Sequence, residues 1–285
     1  MTKNYIKGSY LMAIHSFLKA EKGDPDWQFT PEHYFGKEFK IIDASSIELT
    51  AGIKDLMVLR QNPTDKNFLA KHIKIESREN SHLDLVVIND AEDKLQQVFL
   101  YDLHLKPNSV INFGIFVKGG KFNKHIIQVN LEEGANFSAF GLMANNCGGD
   151  CEIITKVVHQ HPNTGSRQFI LGQAGVGSQT VYQGMVVLDD GSDGSEASVE
   201  GVNLITGSKG RCYSKPEIYV NSDNVRSSIG NITENLSREK IYYLQTRGLD
   251  PAQASATVID SFQKQAIDLL GFDDLRAEIE QVFNA

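Results

Sequence analysis

The chain has little positive charge to spare. Lys and Arg total 28 against 36 Asp and Glu, a formal net charge of −8 at pH 7. That balance argues against nucleic acid as a partner, because phosphate binders usually present a basic face. Cysteine is scarce too. Three thiols in 285 residues do not make a disulfide framework, and the odd number fits a reducing, cytoplasmic setting. No apolar run is long enough for a membrane span, and the opening MTKNYIKGSYLMAIHSFLKAEKG has none of signal length. The Asn-x-Ser/Thr triplets at 136–138, 231–233 and 235–237 therefore mean little as glycan acceptors. Phosphate and serine-nucleophile signatures are missing as well. GVNLITGSKG (201–210) and KGGKFNK (118–124) are glycine-rich but lack the Gly-x-x-x-x-Gly-Lys-Ser/Thr spacing, and no Gly-x-Ser-x-Gly elbow occurs.

What the chain does have is a long series of short strands. LDLVVIND (83–90), VINFGIFV (110–117), HIIQVNL (125–131), ANFSAFGLMA (135–144) and EIITKVVHQH (152–161) alternate or run apolar between loops of Gly, Asn, Asp and Lys. QTVYQGMVVLDDGS (179–192), ASVEGVNLITGS (197–208) and KPEIYV (215–220) continue the series. Gly-Ser dipeptides recur at 165–166, 177–178, 191–192 and 207–208, which suggests stacked copies of one unit. Alternation places Ile153, Thr155, Val157, His159 and His161 on one face, with Ile154, Lys156, Val158 and Gln160 on the other. Periodicity alone favours a solenoid only slightly, since a jelly roll or sandwich has similar strands. AEDKLQQVFLYDLHL (91–105) reads equally as helix or strand.

The two ends differ from this middle. Tyr5, Leu11, Met12, Ile14, Phe17 and Leu18 have loose helical spacing, broken by Gly23-Asp24-Pro25. After residue 235 the text turns helical. Ser237 predicts an N-cap for a helix through Tyr242, Tyr243 and Leu244 that stops at Gly248. Asp250-Pro251-Ala252-Gln253 supplies a second N-cap, a proline at the first helical position and a capping-box Gln. Ala254, Val258, Phe262 and Ala266 recur at four-residue steps, and a last helix follows Asp273-Asp274. These helices could close the end of the sheet or dock another protein. The expected division is an N-terminal helical segment (1–34), a β core (35–235) and a helical C-terminal domain (236–285).

One constellation suggests a metal. Cys147 and Cys151 in CGGDC, with His159 and His161, offer two thiols and two imidazoles, enough for a tetrahedral site if the intervening strand returned on itself. Three residues between the cysteines is not the usual two-residue knuckle, and the segment also reads as a turn. Cys212 reads first as a small packed hydrophobe, and as a reactive thiol only if exposed beside Lys209 and Arg211.

The order His159-x-x-Pro162-x-Thr164-x-Ser166, YQGMVVL, the Asn-Leu of VNLITGS, KPEIYV and YYLQTRGL resembles the SufB/SufD family. Those proteins are scaffold subunits of the Suf iron–sulfur cluster assembly machine. The resemblance runs from about Leu83 to about Leu270 and is densest after Val157. It implies a right-handed parallel β-helix with a C-terminal helical module, and makes His159 a structural rung residue. It implies a separate ABC-type ATPase subunit, docked through a helix–turn–helix like YYLQTRGLDPAQA, with Tyr242, Tyr243, Arg247 and Gly248 as the contacts. It also implies pairing around KPEIYV, as a homodimer or with a SufB-like chain, and ATP-driven opening of a site between the paired solenoids. No cofactor is expected to stay bound; an iron–sulfur cluster passes through as cargo.

The departures from that pattern concern chemistry. The sulfur-accepting cysteine of SufB-type chains falls at Gly201, the histidine of both subunit types at Ile229, and the accompanying glutamate at Gly230. Glycine and isoleucine side chains carry no donor for iron. The expectation is a SufD-like scaffold whose ligands come from another chain; a variant with relocated donors, Cys212 nearest, is the alternative. The chain is also shorter than typical members. From a different class, a β-helix lyase or hydrolase would use groove carboxylates such as Asp189, Asp190 and Glu200, although DDGSDGSE (189–196) reads most simply as a solvated turn; a purely structural interaction protein is the third reading.

Overall fold

Alternate strands join different sheets, and each sheet grows by one strand per circuit. A computed structural model describes residues 43–48, 54–61, 68–146 and 148–284. The expected N-terminal helix and the 1–34 segment lie outside the described residues. The odd sheet runs in the order β1 (Asp43–Glu48), β3 (Phe68–Glu76), β5 (Gln96–Leu105), β7 (Phe122–Leu131), β9 (Asp150–His159), β11 (Gln179–Leu188) and β13 (Arg211–Val220). The even sheet holds β2 (Lys54–Gln61), β4 (His82–Ala91), β6 (Val110–Gly119), β8 (Asn136–Asn145), β10 (Gly165–Ala174), β12 (Glu196–Ile205) and β14 (Arg226–Asn235). Neighbours pair in parallel throughout, for example Tyr101 with Ile127 and Tyr182 with Ser214. A jelly roll or sandwich would pair antiparallel strands, so the register decides for the parallel β-solenoid.

The ambiguous 91–105 stretch resolves into a turn and β5. Its residues are buried on both faces, and a strand of that kind reads as a near-continuous apolar run. The core lies between the sheets, where like side chains stack from turn to turn. Leu103, Val129, Val157, Val186 and Ile218 form one column of the odd sheet. Leu83, Ile111 and Phe137 form another in the even sheet. Polar ladders occupy some rungs. Asn89 Nδ2 donates to Gln97 Oε1 at 2.8 Å, and Asn123 Nδ2 to Asn89 Oδ1 at 3.2 Å. His125 stacks on Phe99 with ring centroids 4.8 Å apart, and burial pushes its pKa down to about 3.

The turns stack as regularly as the strands. Asn80, Asn108, Gly134, Asn163 and Gly194 occupy equivalent places with φ of 56°, 56°, 69°, 59° and 75°. Each N–H donates to a carbonyl of the following turn, as from Asn108 to Glu133 and from Gly134 to Pro162. Left-handed backbone suits Gly best and Asn better than most other residues. At 134 only Gly serves, because a Cβ there would come within 2.3 Å of Asn108 Oδ1. Three of the four Gly-Ser dipeptides fall in turns; Gly165-Ser166 instead begins β10.

Three helices follow β14. In α1 (Arg238–Thr246) the Ser237 side chain accepts from Lys240 N–H, and Gly248 has φ +98°. In α2 (Pro251–Ile267) Asp250 and Gln253 form the full capping box with Pro251 in the first turn. The third, α3, spans Asp273–Asn284. The apolar stripe of α2 does not close the solenoid end. Phe262, Ala266 and Ile267, with Leu275, Ile279 and Phe283 of α3, pack on the outer face of the even sheet at Val86, Phe116, Leu142, Leu171 and Leu204. Gln263 Nε2 donates to Gln173 Oε1 at 2.8 Å within this contact, and Lys118 Nζ reaches Val282 O at 2.5 Å. That face needs a cover because its central columns are apolar.

Candidate functional site

With the helices lying alongside, the last rung of the solenoid stays open. β13 and β14 end their sheets and each pairs on one side only. Every residue of β14 but Gly230 is exposed. Tyr213, Tyr219, Ile229 and Ile232 are all close to half exposed or more. Edge strands of this kind present free N–H and C=O groups to a further strand. Pro216 of the KPEIYV segment fits here, since an edge strand tolerates the missing donor.

The positions carrying the departures lie on the last rungs. A Cβ at Gly201 would meet Ser214 Oγ at 2.1 Å and Tyr182 Cδ1 at 2.9 Å, so its space is already filled. Ile229 pairs with Val199, and its side chain is 54% exposed at the open edge. Gly230 pairs with Glu200, whose Cγ lies 3.4 Å from where a Cβ would stand. Glu200 faces a groove of about 800 Å³ shared with Phe169, Val202, Ile232, Leu244 and Phe262. Asp189 and Asp190 belong to the turn after β11, and no cluster of three or more His, Cys, Asp or Glu able to hold a metal occurs among the described residues.

α1 forms the rim of this end. None of its side chains is buried, with Tyr242 69% and Tyr243 57% exposed. Arg247 lies over the Tyr243 ring, 5.3 Å from its centroid, and its Nη2 donates to Tyr243 Oη at 3.3 Å. Gly248, in left-handed conformation, turns the chain into α2. The four residues chosen from sequence thus share one exposed corner. Tyr243 and Leu244 also line the groove with Phe169 and Val202 of the solenoid.

The thiols and imidazoles do not share a corner. Cys151 and His159 stand at opposite ends of β9, about 26 Å apart at ~3.3 Å per residue, so one ion cannot bridge them. Cys147 lies outside the described residues. His161 is exposed beyond the strand end. His159 is fully buried, with Nδ1 2.7 Å from Thr164 Oγ1 and Nε2 2.7 Å from Ser166 Oγ. Burial pushes its pKa down to about 4, so a neutral ring links two hydroxyls. Cys151 is buried, and desolvation pushes its thiol up, helped by Glu152 and Asp150. Cys212 is half-buried beneath Thr180, whose Oγ1 donates to the sulfur at 3.2 Å; burial raises its pKa despite that bond.

A family model described as the SUF system FeS cluster assembly SufBD core domain matches residues 40–262. The chain belongs to the SufBD family. An iron–sulfur cluster assembly SufBD family protein of Synechocystis is 24% identical over 219 residues, 76% of this chain and 45% of the relative. The iron–sulfur cluster assembly protein SufD of Escherichia coli is 21% identical over 216 residues, 75% of this chain and 51% of the relative. A SufBD family protein of Mycobacterium tuberculosis is 30% identical over 107 residues, 38% of this chain and 13% of the relative. The chain spans about half the length of the first two. Within the SufBD match fall the described strands and all of α1, while α3 lies beyond it. Sequence reasoning named Glu200 as a groove carboxylate but did not foresee what encloses this groove. Its lining comes from β10, β12, β14, α1 and α2, and no local pattern announces that meeting.

Proposed function

We propose that this chain is a non-catalytic scaffold subunit in iron–sulfur cluster assembly, with an ABC-type ATPase docked on α1 and the α1–α2 corner. The carrying observation is α1 itself: a well-capped helix with no buried side chain, two exposed tyrosines and an arginine stacked on one of them. Tyr and Arg dominate binding hot spots because they combine apolar area with directional polar groups. The open edges of β13 and β14 pair with a second copy or a SufB-like chain in the same cytoplasmic complex. Iron and sulfide are cargo in this reading. Gly201 and Ile229 give them no donor, so the partner chain supplies the ligands at the junction.

The docking reading is tested on point variants. Deleting residues 237–285 would strip the cover from Phe116, Leu142 and Leu171 and confuse lost docking with lost folding. In a pull-down with the ATPase subunit, Tyr242→Ala/Tyr243→Ala should bind at least tenfold more weakly than wild type, about 1.4 kcal/mol or more. Far-UV circular dichroism should be unchanged. Undiminished binding by the double variant overturns the docking assignment.

A further inference from the structure

The outer face of the even sheet carries a second feature, independent of docking and of cluster chemistry. Asp84, Asn112, Ser138, Arg167, Ser198 and Ser228 form one outward column on six successive strands. At one end the acid is engaged, since Asn112 Nδ2 donates to Asp84 Oδ1 at 2.7 Å and His82 Nε2 lies 3.3 Å away. Further along, the column offers a guanidinium and hydroxyls but no acid. Among the described residues the side chains of Ser138, Arg167 and Ser198 make no hydrogen bond or ion pair with one another or with any neighbour. They stand on adjacent rungs, ~4.8 Å apart, so two hydroxyls flank one free guanidinium. The nearby Arg226 differs, being paired with Glu196 at 3.0 Å.

Beside this donor row the α2–α3 turn closes a pocket of about 340 Å³. Its walls are Phe140 and Phe169 of the sheet and Leu269 and Phe272 of the turn, while Asp84, Asn112, Ser138 and Arg167 line its polar side. Ser138 and Arg167 also line an open groove toward Ser198 and Ser228. Apolar walls with a few convergent polar groups are the usual make-up of a small-molecule site. A planar fork of guanidinium donors suits a carboxylate.

We infer that this pocket binds an amphipathic organic carboxylate, with its anionic group on Arg167, Ser138 and Ser198 and its apolar body among Phe140, Phe169, Leu269 and Phe272. The volume suits a chain or ring system of small-ligand size. A cationic amphiphile of equal length would leave the guanidinium unpaired and face a like charge, and the pocket's acid, Asp84, is already engaged by Asn112 and His82. Binding would also stiffen the α2–α3 turn against the sheet.

The test uses the full chain, with octanoate and octylammonium as probes in a calorimetric titration. Octanoate should bind saturably with one site per chain, and octylammonium at least tenfold more weakly. Arg167→Gln should weaken octanoate at least tenfold and leave octylammonium unaffected or improved. Ser138→Ala/Ser198→Ala should weaken octanoate by a smaller factor. Neither change touches the apolar core, so circular dichroism and the urea midpoint should match wild type. Equal binding of the two amphiphiles, full octanoate affinity in Arg167→Gln, or no saturable octanoate binding each overturns the assignment.

Discussion

β11 and β14 are both ten-residue strands of one solenoid, yet their surroundings are opposite. In QTVYQGMVVL eight of ten residues are buried; in RSSIGNITEN none is. β11 has a neighbour on each side, β9 and β13, and lies one strand in from the open edge. β14 has only β12, and the helices that cover the even sheet's outer face leave it bare. Burial in a solenoid therefore depends on position in the stack as much as on composition. The helices cover another face and leave this last rung exposed, which is the surface the proposed pairing uses.

The contrast should show most clearly in the response to truncation. Phe113→Ala, in the closed middle, should lose about 3–5 kcal/mol in urea unfolding, because a fully buried ring leaves a cavity. A loss under ~1 kcal/mol would mean the middle is as loosely held as the end. Acid should act on the same middle region. His159 and His125 fold with pKa values near 4 and 3, below the ordinary 6.5, so the unfolded chain binds more protons between those values. Their contribution is complete above pH 6.5. It falls by up to about 1.4 kcal/mol per unit for each ring as pH drops toward 4 and then 3. Urea midpoints measured from pH 7.5 to 5 should be level above 6.5 and decline below it. A level profile down to pH 5 would contradict the buried neutral rings.

Nearer the open end the effects shrink. Gly201→Cys restores a thiol where SufB-type chains are expected to carry one, but Ser214 and Tyr182 already occupy the space. Overpacking should cost about 1–3 kcal/mol, read as a lower urea midpoint. An unchanged midpoint would show that the last rungs can yield. Ile232→Ser, on the exposed strand, should change the stability of the isolated chain by less than ~0.5 kcal/mol while weakening association with a second solenoid. A stability loss of ~2 kcal/mol would mean that β14 is not a free edge.

Much of this was legible in the sequence, for identifiable reasons. Ser237, Asp250, Pro251, Gln253 and Gly248 fix the helix ends through local hydrogen bonds and backbone preference, so their reading needs no tertiary knowledge. The inward face of β9 was legible because alternation is a local rule, and Ile153, Thr155, Val157 and His159 are all buried. His161 departs from it by lying past the strand end. The address of α2 was not legible: Phe262 and Ala266 announce an apolar stripe without saying which surface receives it. The Cys151–His159 pairing fails because one straight strand holds both, a strand that alternation over 152–161 already suggested, and extended backbone cannot return the thiol to the imidazole. Arg167 was invisible as a site residue because its significance depends on Ser138 and Ser198, which reach it only through the stacking of rungs.

The most direct test of the scaffold account is anaerobic reconstitution with iron and sulfide, followed through visible sulfide-to-iron charge-transfer absorption. The isolated chain should develop no stable absorption, and adding a SufB-like partner together with the ATPase should produce it. A stable cluster on this chain alone, lost in Cys212→Ser, would contradict the claim that the ligands come from the partner.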